Sequence, residues 1–145
     1  MGAFTTAKSV SAYQQVGMSD TAYSDPHRLI SMLMEGALDR IARARGALLA
    51  EEIANKGELI SNAITIITGL KSCLNMDADE TLSNNLADLY DYMCRRLLLA
   101  NAQDDVEMLD EVSSLLSEIR FAWEAIPESA KRNVQISPQR DSNAR

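Results

Sequence analysis

This is the sequence of an all-α protein, and three features say so. Hydrophobic residues make up 46% of the 145 but aromatics only 5%, with 6 Gly and 3 Pro, a balance that suits packed helices better than a sheet rich in β-branched and aromatic side chains. Apolar residues recur at alternating steps of three and four in four successive stretches, the period of one face of a helix. The stretches are joined by short polar connectors that carry helix-capping residues, which makes chain neighbours antiparallel. The expected architecture is an elongated antiparallel up-down four-helix bundle with a short N-terminal helical arm and a disordered C-terminal tail. The length fits one domain able to bury a core without metal or disulfide support.

Residues 1–23 form the arm. Val10, Tyr13 and Val16, three apart, give an apolar face of one or two turns, too short to be stable without docking on something. The bundle is expected over 24–126. Its first helix starts at Ser24-Asp25-Pro26, where Asp25 caps free N–H groups and Pro26 gives up an N–H that would be unpaired anyway. Leu29, Ile30, Leu33, Ala37, Ile41, Ala44 and Leu48 form its stripe, and the stripe loses phase near residue 50, where neither Gly46 nor Gly57 marks the break.

The second helix carries Ile53, Leu59, Ile60, Ala63, Ile64, Ile67, Leu70 and Leu74 on one line, with Ile66 facing away. Isoleucine is a middling helix former, so this concentration must be justified by packing. After the acidic, cap-rich connector Asn75–Glu80, a third helix runs to Asn101 with Leu82, Leu86, Leu89, Met93, Leu97 and Ala100 as its core line. The last helix shows the cleanest stripe, Leu109, Val112, Leu116, Ile119, Trp123 and Ile126, and Pro127 prevents its continuation. Residues 127–145 are polar and are expected to be disordered.

Fourteen Lys and Arg against 21 Asp and Glu leave a net charge of −7 with no basic stripe, which argues against nucleic acid as a ligand. No apolar run is long enough to span a membrane, and the N-terminus lacks the pattern of a signal peptide. Cys73 and Cys94 lack metal-site spacing and read as reduced thiols of a cytosolic protein. With a single histidine, the Glu-x-x-His pairs of a di-metal carboxylate bundle are excluded, and nothing pairs a nucleophile with a base. Phosphotransfer bundles use a histidine exposed in mid-helix, whereas His27 sits in a first turn, where a hydrogen-bonding role is expected. No enzyme activity and no cofactor are expected.

Helices two and three carry more apolar residues than one core stripe consumes. Ile60, Ile64, Ile67, Leu86, Tyr90 and Met93 are therefore the expected contributors to a groove for an amphipathic helix of a partner, with Val10, Tyr13 and Val16 as an N-terminal cover that yields to it. Of the adjacent Arg95 and Arg96, about 100° apart on a helix, one is expected to pair within the bundle and the other to stay solvated.

Tyr13-Gln14-Gln15, Pro26–Ile30 with Met32–Ala37, Leu89–Met93 with Arg95-Arg96-Leu97 and Ala100-Asn101, and Glu111-Val112 through Leu115-Leu116 to Ala122-Trp123 together resemble the flagellin-specific export chaperones of bacteria, the FliS family. The resemblance runs in order from about residue 10 to 126; one departure is Glu35, where the family more often has Asp. It implies a cytosolic, non-enzymatic chaperone that binds the C-terminal segment of flagellin, prevents premature polymerisation and delivers it to the flagellar type III export gate, acting as a monomer or weak homodimer. The competing expectation is a helical adaptor that sequesters a transcription-related partner.

Overall fold

The computed structural model describes residue 16, residues 25–74 and residues 79–126. Four helices account for almost all of them: α1 (Pro26–Leu49), α2 (Ile53–Ser72), α3 (Glu80–Gln103) and α4 (Val106–Glu124). Three begin at an aspartate whose carboxylate accepts from the N–H groups that a helix start leaves free: Asp25 from Arg28, Asp79 from Leu82, and Asp105 from Glu107 and Met108.

The break near residue 50 falls between Leu49 and Ile53. Glu52 N–H donates to the Ala47 carbonyl and Glu51 N–H to that of Leu48, the paired bonds that close a helix through a left-handed residue. Glu51 takes that residue's place with φ 61°, where glycine is the usual occupant. Asp104, at φ 52°, does the same after α3, and Asp105 N–H reaches back to the Ala100 carbonyl.

Side-chain pairs fix the packing as antiparallel. Arg45 meets Asp110, Arg120 meets Glu35 and His27 meets Trp123 between α1 and α4; Lys71 meets Asp91 and Lys56 meets Asp104 between α2 and the end of α3. Each helix packs on its chain neighbours, α1 and α4 close the ring, and α1 on α2 is the most extensive seam. The interior is filled by Leu29, Leu33 and Ile41, by Ile60 and Ile67, by Met93 and Leu97, and by Leu109, Val112 and Leu116.

Ile66, off the main line of α2, is fully buried, because α2 is covered on two sides: its line toward α1 closes over Gly36. Three positions, Leu82, Leu89 and Ile53, depart from the sequence expectation. On α3 the core line runs through Tyr90, while Leu82 and Leu89 are exposed. Leu82, 54% exposed, lines an open groove at one end of the bundle. Ile53, expected on the core line of α2, is exposed because it stands in the helix's first turn, beyond the reach of neighbours. Of the expected arm, Val10 and Tyr13 lie outside the described residues. Val16 is half-buried, packed against the core at Gly36, where a Cβ would overlap its Cγ1.

Candidate functional site: an apolar groove at one end of the bundle

The two ends of the bundle differ. At one end the α1–α2 turn and the α3–α4 turn come together, and Lys56, only 3% exposed, joins them: its Nζ donates to the Asn101 carbonyl at 2.9 Å and pairs with the Asp104 carboxylate. A cation among the last carbonyls of α3 suits the helix dipole as well. Further along the α3–α4 seam, Glu111 accepts from the Tyr92 hydroxyl at 2.5 Å and from Arg96 Nε at 2.8 Å. These bonds hold the Glu111 carboxyl below its ordinary range and raise the Tyr92 phenol. Arg96 is thus the paired arginine, whereas Arg95 is exposed, its guanidinium 6.0 Å from the Tyr92 ring centre.

At the opposite end the helices part into an open groove of about 270 Å³. Ile30 and Met34 line it from α1, Leu70 from α2 with Cys73 and Leu74 just beyond, Leu82, Leu86 and Tyr90 from α3, and Ile119, Ala122 and Trp123 from α4 with Ile126 beyond. One wall is fixed by a reciprocal clasp: His27 Nε2 donates to the Trp123 carbonyl at 3.0 Å, Trp123 Nε1 donates to the His27 carbonyl at 3.1 Å, and the two rings stack at 4.5 Å. Tyr90 forms the floor; burial first, then the neighbouring Cys73 thiol, pushes its hydroxyl well above the usual range. Phe121, 79% exposed, stands on α4 at the same end.

Of the six expected groove residues, Leu86 and Tyr90 line this groove. Ile60, Ile67 and Met93 are each 1% exposed or less and lie in the sealed interior, reachable only if helices separate. Ile64 is half-buried on the side of α2 that faces α3, outside the groove. The lining residues that pattern reading assigned to the core, Ile30, Leu70, Leu74, Leu82, Ile119, Trp123 and Ile126, lie toward the ends of core stripes, and some of them, such as Leu82, run out past full burial. That overrun, most visible at Leu82, is the signal available in the sequence.

No charged side chain lines the groove among the described residues. Nor do they contain a cluster able to hold a metal ion, or a helix long and apolar enough to cross a membrane. A cleft of this size and openness suits a row of apolar side chains presented by another helix better than an enclosed small molecule. A bundle with an apolar groove open between its helices has the build of a helical chaperone.

The family described as Flagellar protein FliS matches residues 9–130. The flagellar secretion chaperone FliSB of Pseudomonas aeruginosa is 46% identical over 120 residues, 82% of this chain and 95% of the relative. The flagellar secretion chaperone FliS of Salmonella typhimurium is 43% identical over 134 residues, 91% of this chain and 98% of its own length, and that of Bacillus subtilis 34% over 122 residues, 84% and 88%. The chain belongs to the FliS family, and its role is that of an export chaperone.

Proposed function

We propose that this chaperone binds the C-terminal segment of flagellin in the cytosol, keeps it from polymerising prematurely and delivers it to the flagellar type III export gate. The observation that carries the reading is the groove at the Trp123 end, an apolar cleft between helices in a chain of net charge −7. Burying apolar surface at about 25 cal/mol per Å² supplies the attraction, and the surplus negative charge limits self-association of so apolar a surface. Binding and release by burial of apolar surface need no chemistry from the chaperone.

The arm fits the same reading. Val16 packs at Gly36, near Ile66 and one turn from Leu70 on the groove wall, so Val10, Tyr13 and Val16 are read as a cover of the α1–α2 seam beside the groove, one that yields to a client reaching past the groove. Ile60, Ile67 and Met93 then support the groove from beneath, and the client surface proper is Leu82, Leu86 and Tyr90 with their neighbours.

Size-exclusion chromatography of the chain mixed with flagellin is expected to yield a 1:1 complex. Leu82→Asp, at a side chain already 54% exposed, is expected to leave the helical circular dichroism intact and weaken that complex at least tenfold. A folded Leu82→Asp and a folded Leu86→Asp that both hold flagellin like the unaltered chain would place the client elsewhere.

A further inference from the structure

We infer that the chain's own C-terminal segment, residues 130–140, docks in the groove at the Trp123 end and occupies it in cis. Three observations point there. The chain leaves α4 at the groove itself, since Ile126, the last described residue, lines it. Val134 lies eight residues further on, a reach of up to about 27 Å, more than twice the roughly 10 Å diameter of a helix. A tether this short gives an effective concentration on the order of millimolar, enough to fill a site of weak intrinsic affinity.

The charges match as well. Exposed at this end are Asp25, Asp79, Glu80, Glu118 and Glu124, against the two cations Arg28 and Lys71, the latter already paired with Asp91, so acids are in excess. The segment after Ile126 carries Lys131, Arg132, Arg140 and Arg145 against Glu128 and Asp141, a positive surplus on a chain whose net charge is −7. Within it, Val134 and Ile136 are two apart, so an extended backbone points both at one surface, with Lys131-Arg132 on one flank and Arg140 on the other. An apolar pair between basic flanks is the complement of an apolar groove with an acidic rim.

Docking in cis makes the segment a competitor for any partner of the groove, and its effect on flagellin rests on the function proposed above. Trp123 is the chain's single tryptophan and forms a wall of the groove, so its emission reports occupancy without any partner. In the full chain, Val134→Asp with Ile136→Asp is expected to red-shift Trp123 emission and tighten flagellin binding about three- to tenfold, the effect of removing a cover present on most molecules. Lys131→Glu with Arg132→Glu is expected to produce the same shift in weaker form. Emission unchanged in both variants overturns the inference. So does a shift produced by Val10→Asp with Tyr13→Asp and by neither C-terminal variant, which would assign the groove to the N-terminal arm. If flagellin fails to bind any form, the proposed client is wrong, yet the emission of the partner-free chain still decides whether the segment docks.

Discussion

At the Lys56 end, two tight turns meet, a buried ammonium joins them, and Leu97 and Leu109 are fully enclosed. At the Trp123 end the same four helices leave an apolar cleft, lined on α3 by the exposed Leu82 and the half-buried Leu86. Similar apolar residues serve both regions, enclosed at one end and lining an open cleft at the other. The difference teaches that a small bundle can concentrate its stability in one half and its recognition in the other, so that occupying the groove need not disturb the fold.

The largest test makes one chemical change at both ends. Leu97→Ala is expected to cost about 3 kcal/mol of unfolding free energy, the usual range for a buried leucine that leaves a cavity, and to spare partner binding. Leu82→Ala, at a half-exposed side chain, is expected to cost less than about 1 kcal/mol and to reduce binding. Urea denaturation read by circular dichroism measures both. Equal costs would mean that the ends do not differ as described.

Next in size is Lys56→Ala, expected to cost about 2 kcal/mol, because it strips the Asn101 carbonyl of a donor and leaves a gap where a buried stem stood. Lys56→Met retains the stem and is expected to cost less than half as much, so the two melting temperatures separate packing from charge. Should both variants melt with the unaltered protein, the clamp does not hold this end.

A smaller effect of opposite sign is expected at the α1–α2 turn. Glu51→Gly relieves a left-handed residue whose Cβ is strained, a gain of about 0.5–1 kcal/mol after the extra entropy of glycine in the unfolded chain is subtracted. The midpoint of urea unfolding should rise while flagellin affinity stays the same, since the turn is at the far end from the groove.

The smallest expected effect is on pH dependence. The Tyr92 hydroxyl and then Arg96 hold the Glu111 carboxyl below its ordinary value of 4.5. The stability this brings is present above the ordinary value and is lost as pH falls through the depressed one. The melting temperature of the unaltered chain should therefore exceed that of Glu111→Gln at pH 7 and converge on it only as the pH falls through the depressed value. A gap that persists in acid would mean that neutral hydrogen bonds alone sustain the seam.

The sequence made α1 and α4 legible, because Asp25-Pro26 starts one sharply and the Leu109-to-Ile126 stripe drifts little from one face. The α1–α2 break could be located but not explained: the left-handed position carries Glu51, so the glycine that announces such an end is missing. On α3, apolar residues are so dense that several phases fit, and periodicity chose the line through Leu82 and Leu89 where packing chose Tyr90. Ile66 lies off the main line of α2, and the surplus of apolar residues on that helix says that a second side needs cover without saying what covers it; the wide α1–α2 seam does. The groove was half legible, through Leu86 and Tyr90, because its site depends on where helices end relative to one another, which no single helix records.

The contact of Val16 with Gly36 also has a meaning in time. On the ribosome Val16 is made twenty residues before Gly36 and fifty before Ile66, so this early segment has no dock until α2 has been synthesised. The α1–α2 hairpin closes through contacts near in sequence and can form first; Val16 settles only on a finished seam. A growing chain therefore passes through a stage in which Ile66 and its surroundings are bare. Any methyl group added at position 36 would prolong that exposure for the life of the molecule.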